Sequence, residues 1–345
     1  MTAKGIQYGS ITVRPDGTVD TSQVEGVDPD LRVRPFFAHG GTISIREFII
    51  GAMNNEMGFQ CLDPEVTAAG DGKSQVITLA GMVLNGQTDS LERPPDPDPT
   101  KVSTGQSPRN QIATAIVDYM EFYLLNYFKP GLHEQTPGVK RGRQTFEQIG
   151  CASCHLSNLQ IDQDRRVADV ETVYDPDRGN FNHLFATATP LFKIIDDQDG
   201  YPARKAPKRE PFLVRNIFTD FKRHDLGPNF WERNYDGSYQ KQFLTTALWG
   251  VGATAPYGHD GRSVNLSEVI LRHGGEAQSA RDVFAALSDT DRAELVAFLN
   301  SLVLFPPDDT ASTLDPGDRL AAGFPQLKHG AIKLTVLFND PTDIE

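Results

Sequence analysis

Cys151-Ala152-Ser153-Cys154-His155 is the stretch on which the reading of this chain turns. A C-x-x-C-H run is the pattern of covalent haem attachment. Two thiols at that spacing reach the vinyl groups of one haem, and the adjacent imidazole can take an axial position on the iron. Cys151 and Cys154 are therefore the expected attachment points and His155 the expected axial ligand. Three plainer readings compete. A structural zinc site wants a second Cys/His pair at ligand spacing, and Cys61 alone remains. A thioredoxin-like redox pair wants a βαβ context, whereas Phe146-Glu147-Gln148-Ile149-Gly150 leads in and a long polar segment follows. A simple disulfide leaves the histidine unexplained.

The 345 residues suggest two domains, or one with large insertions, and are enough to bury a sizeable core. No window approaches the 18 or so apolar residues of a membrane span. The net charge of −13 argues against nucleic acid and anionic membranes and suits a basic redox partner. Cys61, in Gln60-Cys61-Leu62, reads as a buried, inert thiol. Covalent haem attachment normally takes place outside the cytoplasm, so an extracytoplasmic, periplasmic location is expected. Met1-Thr2-Ala3-Lys4-Gly5 opens into polar sequence without the marks of a secretion signal, and the expectation is a fragment of a longer secreted protein.

Local patterning predicts a hairpin over residues 11–20, turning at Arg14-Pro15-Asp16-Gly17. It predicts a helix from Ile43 to Met57 with Ser44 as N-cap and Glu47 closing a capping box. Residues 63–107, rich in Pro, Gly, Asp and Ser, read as a long surface excursion. Helices are expected from Gln111 to Phe128, ended by Pro130-Gly131, and from about Gly142 into the haem motif. Residues 157–245 read as an insertion wrapping the haem. Leu266–Arg272 reads as a short helix stopped by Gly274-Gly275. Ser288 caps a last helix through Leu302, with Ala293, Val296, Ala297 and Leu299 inward. A strand, Ile332–Phe338, is expected to pair with the N-terminal strands. The expected fold class is mainly α, a class I cytochrome c-like haem domain with long irregular insertions and a small β element. The expected divisions are an N-terminal segment 1–107, a haem domain 108–302 with the insertion 157–245, and a tail 303–345.

The second axial ligand sets what a haem does: Met/His ligation raises its potential, and an open site permits peroxide chemistry. All five methionines precede Cys151. Among the downstream histidines, His273 stands at a helix end before two glycines that let the backbone pass close to a ring. That position also suits a histidine stabilised by the helix dipole. His259, in Pro256-Tyr257-Gly258-His259-Asp260-Gly261, is the rival, though a tight turn there suggests a structural hydrogen-bonder, as does Asp225 beside His224.

At these residues the chain resembles the dihaem oxidoreductase family related to the bacterial dihaem cytochrome c peroxidases. The resemblance rests on Gly150 to His155, on Leu248-Trp249-Gly250, on Thr254 to Arg262, on Leu271 to Glu276 and on the closing Glu294 to Leu299. It implies that His273 occupies the distal-ligand position of the C-terminal haem, usually a methionine, and that Trp249 lines the pocket. It implies a Ca2+ ion held by backbone oxygens of Thr254 and Pro256. Phe36 to Gly41 through Glu47, with Glu56-Met57-Gly58, resembles the link after the first haem, where an acid placed like Glu47 helps cleave peroxide. The capping box offers Glu47 a plainer role.

The family carries two C-x-x-C-H motifs and this chain carries one. The missing one would precede residue 1 or lie on a partner polypeptide. The functional expectation is a c-type electron-transfer unit with one covalent, bis-His, low-spin haem, working with a redox partner or a second haem domain. The alternative is a peroxidase reducing hydrogen peroxide at this or a partner haem, with Glu47 or His259 as general acid/base. A third reading is an assembly domain without catalysis.

Overall fold

The structure, a computed structural model, describes residues 1–91, 111–126, 129–132, 135–163, 165 and 210–305. Four strands open the chain in two antiparallel pairs, β1 (Thr2–Ala3) with β2 (Ile6–Gln7) and β3 (Gly9–Val13) with β4 (Val19–Val24). Helices α1 (Ile45–Gly51) and α2 (Pro64–Ala69) follow, then the pair β5 (Gln75–Ile77) and β6 (Val83–Asn85), and helix α3 (Thr114–Asn126). Strand β7 (Lys129–Leu132) precedes α4 (Pro137–Gln148), which runs into the C-x-x-C-H segment. Beyond it β8 (Asn158–Ile161) pairs with β9 (Phe212–Arg215), β10 (Arg223–Asp225) with β13 (Gln242–Leu244), and β11 (Glu232–Arg233) with β12 (Tyr239–Gln240). Helices α5 (Leu266–Arg272), α6 (Gln278–Ala286) and α7 (Asp289–Asn300) lead to β14 (Leu302–Phe305), which pairs with β7.

The architecture is thus mixed rather than mainly α. Seven two-stranded antiparallel ladders join the helices among the described residues. The polar, turn-rich connections hold no helical periodicity, so their backbone groups are satisfied by short pairings between neighbouring segments. The β3–β4 hairpin lies where its turn signals place it. Strand Ile332–Phe338 lies outside the described residues.

The core around the haem motif is built on the crossing of α4 and α7. Thr136 caps α4 by accepting from Val139 N–H at 3.2 Å, and Pro137 at the first position needs no partner for its missing donor. This start lies five residues before the expected one. The buried stripe is Val139, Gly142 and Phe146, a helical spacing. Gly142 is the contact point: a Cβ there would sit 1.9 Å from the carbonyl oxygen of Glu294, so only glycine lets the two backbones approach so closely. Ser288 caps α7 as expected, and Leu299 is buried with Val296 and Ala297 packed partly against the same core, as expected; Leu295 and Phe298 are buried there too, and Ala293 is exposed. Phe146, Phe218 and Phe298 meet edge to face with centroids 5.5–5.9 Å apart. The β7–β14 ladder then ties the entry of α4 to the exit of α7.

A second core packs α1, α2, α3, β5 and β6 around Ile49, Val66, Met82, Leu84 and Val117. Residues 63–91 are therefore not a surface excursion: Val66, Ala69, Ala80, Met82 and Leu84 are buried there. The fully buried Arg46 guanidinium grips Asp63 through two bonds of 2.9 and 2.6 Å, and also bonds Glu65, Asp118 and Glu121. Helix α1 has the expected Ser44–Glu47 capping box but stops at Gly51, where a π-helical turn, Ala52–Glu56, takes over.

The two cores share a motif. Phe36 bridges Thr42, and Tyr257 bridges Ser263 at the same spacing. In each, the turn holds positive-φ residues in matching places, Phe37 and Gly40 in one and Gly258 and Gly261 in the other. Each ends in an N-cap, Ser44 or Asn265, that accepts from the backbone N–H of a glutamate three residues on. In that register Ala52 falls where His273 stands.

Candidate haem site

Gly150, with φ of +96°, turns the chain out of α4, a left-handed conformation that suits glycine. Cys151, Ala152 and Ser153 form a 3-10 turn whose carbonyl at Cys151 receives the N–H of His155 at 3.0 Å. This winding puts both thiols and the imidazole on one short turn. Cys151 and Cys154 are half-buried and not bonded to one another. Burial pushes the Cys151 thiol up to about 11.

The His155 ring packs against Phe146 at 6.0 Å and donates its Nδ1–H to the carbonyl of Phe218 at 3.0 Å. A backbone partner of this kind fixes the tautomer and aims Nε2 at a metal. Burial, together with His273 and His224 nearby, drives the His155 pKa down to about 4, which keeps the ring neutral as a ligand must be. The acceptor sits in a loop held in unusual backbone geometry: Asn216, Phe218 and Phe221 all have φ near +50°. For phenylalanine this is a strained region that the surroundings must hold in place. Arg143 does part of that, lying 5.4 Å over the Phe218 ring and donating to Asn216 Oδ1 at 2.9 Å.

His273 caps the end of α5. Its Nδ1–H donates to the carbonyl of Val269 at 2.7 Å, and its ring meets Phe230 edge-on at 5.2 Å. Burial lowers its pKa as well. His155 and His273 are both half-buried, and His273 lies near enough to help lower the His155 pKa. Each has its Nδ1 committed to a backbone carbonyl, so Nε2 is the nitrogen available to a metal.

The other expected residues stand apart from this pair or beside it. His259 stacks on Phe243 with centroids 3.7 Å apart and has the Glu232 carboxylate at 4.0 Å, a packed environment with an acidic neighbour. Its pKa is lowered, chiefly by burial. Glu47 lies with α1 on the second core, and its carboxylate accepts from the Ser44 N–H and hydroxyl at 3.1 and 2.9 Å, as a capping box requires. Thr254 and Pro256 are exposed on the turn before Tyr257. Trp249 and Leu156, the residue after His155, both pack against the core around Val214 and Ile217, and the buried indole Nε1–H has no acceptor among the described residues. Such a donor is costly to leave unpaired, and the carboxylate of a haem propionate is the kind of partner it lacks. The residues present fit a haem.

Sequence reasoning missed the Phe218 carbonyl and the charged cluster around His224. That ring donates to Asp220 Oδ2 at 2.9 Å and to Glu276 Oε2 at 2.7 Å, and lies 4.0 Å from Cys154 Sγ. Burial alone would lower its pKa, but bonds to Asp220, Cys154 and Glu276 outweigh it and push it to about 11. No local pattern marks these residues, which come from three separate segments. The likeness of the Phe36 and Tyr257 motifs was legible by comparing the sequence with itself.

Residues 185–302 match a family described as "Di-haem oxidoreductase, putative peroxidase". It is the family that the motifs resemble. The matched stretch holds Trp249, Thr254, Pro256, His259 and His273, while Cys151, Cys154 and His155 precede it. No curated protein and no solved structure matches the chain. The matched family's chemistry is that of a haem oxidoreductase of peroxidase type. Among the described residues no helix is long and apolar enough to cross a membrane.

Proposed function

We propose that this chain is the electron-transferring, haem c-bearing part of a dihaem oxidoreductase, with a cytochrome c-like domain over 108–302. The observation that carries this is a pair of half-buried imidazoles near enough to influence one another electrostatically, one of them in the C-x-x-C-H turn, each with Nδ1–H held by a backbone carbonyl, Phe218 for His155 and Val269 for His273. Cys151 and Cys154 would hold the haem through thioethers, and His155 and His273 would hold its iron through Nε2. When bound, the haem supplies a one-electron Fe(III)/Fe(II) couple. The residues around it supply rigidity. The strained 216–221 loop and the Phe146–Phe218–Phe298 cluster fix His155, and Phe230 with the α5 terminus fixes His273. Two fixed ligands keep geometry alike in both oxidation states. Trp249 Nε1–H would donate to a propionate.

The same reading places the protein outside the cytoplasm and assigns it a redox partner or second haem domain, since residues 1–345 hold one C-x-x-C-H. A calcium ion on backbone oxygens of Thr254 and Pro256 rests on the resemblance. The family description favours a second reading, peroxide reduction at this haem through a distal position that opens. Production in a periplasm with haem-attachment machinery separates them. The carrier reading expects one covalent haem per chain, lost in Cys151→Ser/Cys154→Ser, and no spectral response to peroxide. A haem that converts rapidly with peroxide refutes the carrier and supports the enzyme.

A further inference from the structure

The surroundings of Cys154 offer its sulfur a second use. Ligating atoms of Cys154, Asp220 and His224 all lie within 4.8 Å of one another, and among the described residues this is the one group of three such side chains so placed. Asp220 and His224 are buried, and the sulfur stands 4.0 Å from His224 Nδ1. A tetrahedral zinc with bonds of about 2.3 Å to sulfur and 2.05 Å to nitrogen holds those atoms about 3.6 Å apart. The pair therefore needs to close by only a few tenths of an ångström. Glu276, 2.7 Å from the same nitrogen, supplies the carboxylate at the rim, while Asp220 holds the opposite nitrogen, Nε2, at 2.9 Å. One thiolate, one imidazole and one carboxylate are a donor set for a borderline-soft divalent ion with water as fourth ligand.

We propose that before haem is attached Cys154, His224 through Nδ1 and Glu276 bind a thiophilic divalent cation of the zinc class, with Asp220 orienting the ring through Nε2, so that metal and haem compete for the Cys154 sulfur. The two occupants exclude one another because a thioether sulfur is no longer a thiolate, and the thiolate is what the metal takes. Cys151 lies outside the group although it is the partner of Cys154 in haem attachment. That asymmetry distinguishes this site from a dithiol site and from any property of the haem.

The test uses the full chain, reduced and haem-free, made without attachment machinery, with Co2+ as the probe and far-UV circular dichroism to confirm a folded state. One equivalent of Co2+ is expected to give a sulfur-to-metal charge-transfer band that Zn2+ bleaches. Cys154→Ser should abolish the band, Glu276→Gln and His224→Gln should weaken binding at least tenfold, and Cys151→Ser should retain it. Zn2+ should slow iodoacetamide labelling of Cys154 at least tenfold while sparing Cys151, and the haem-loaded chain should bind no Co2+. Absence of the band, its survival in Cys154→Ser or in the haem-loaded chain, or its equal loss in Cys151→Ser overturns the proposal. The cobalt arm needs no haem, so failure of haem to attach leaves it standing, and failure of cobalt to bind leaves the haem reading untouched.

Discussion

Replacing Gly142 by alanine tests the crossing that positions the haem motif. A Cβ at 142 would lie 1.9 Å from the Glu294 carbonyl oxygen, 2.4 Å from its carbon and 2.9 Å from Leu295 N. Ordinary carbon–oxygen contact is about 3.3 Å, so α4 and α7 must part by about 1.4 Å. Backbone cannot swing away as a side-chain tip can. A gap of that size forfeits about half of the dispersion energy between the facing side chains, here including Phe146 against Phe298. Overpacking costs about 1–3 kcal/mol, and this case belongs at the upper end. Alanine's better helix propensity returns about 1 kcal/mol, leaving a net loss of about 2 kcal/mol. Gly138→Ala, one turn earlier, is the control: its Cβ would meet only the flexible Glu294 side chain, at 3.4 Å. Urea unfolding of the full chain followed by circular dichroism should show the loss for Gly142→Ala and a change of under about 0.5 kcal/mol for Gly138→Ala. Equal stability of the two variants would refute the close crossing.

Other expectations follow from the same contacts. Arg46→Met should destabilise the chain by about 3–5 kcal/mol, because it leaves Asp63 and Glu121 buried without their cation; a loss below about 1 kcal/mol in thermal or urea unfolding would deny the cluster that role. Asp30 is held from 3.8 down to about 2 by its bonds with Arg34, so its stabilisation is complete above the ordinary carboxylate range and disappears as pH falls toward 2. Asp30→Asn should flatten the acid limb of stability between about pH 4 and 2, and an unchanged limb in urea melts across that window would count against the pair. Trp249→Phe removes an unpaired buried donor worth about 1–3 kcal/mol. It should leave the haem-free chain as stable or more so, while lowering the stability of the haem-loaded chain; loss in both forms would mean that the indole has a protein partner.

What could be read in the sequence was whatever is encoded locally. The C-x-x-C-H turn, the Ser44–Glu47 box and the Ser288 cap each need only a few adjacent residues, and the structure shows those turns and caps where the sequence puts them. The helix start at Pro137 was missed because Thr136-Pro137 is a capping signal that precedes the apolar stripe. The β7–β14 ladder joins segments far apart in sequence, and strands of four residues carry too little pattern to announce themselves. Residues 63–91 look like loop by composition yet bury Met82 and Leu84, since tertiary packing overrides turn-rich composition there. The partners of the candidate site are the least legible. Phe218 offers its carbonyl from a strained loop with no periodicity, and His224, with its partners Asp220 and Glu276, meets Cys154 only through folding.

The spin state of the ferric haem tests the central claim most directly. Electron paramagnetic resonance of the haem-loaded chain should show a low-spin signal for two imidazole ligands, and His273→Ala should convert it to high spin while the haem stays covalently attached. A high-spin signal in the unaltered chain, or a low-spin signal unchanged by His273→Ala, would contradict ligation by His155 and His273.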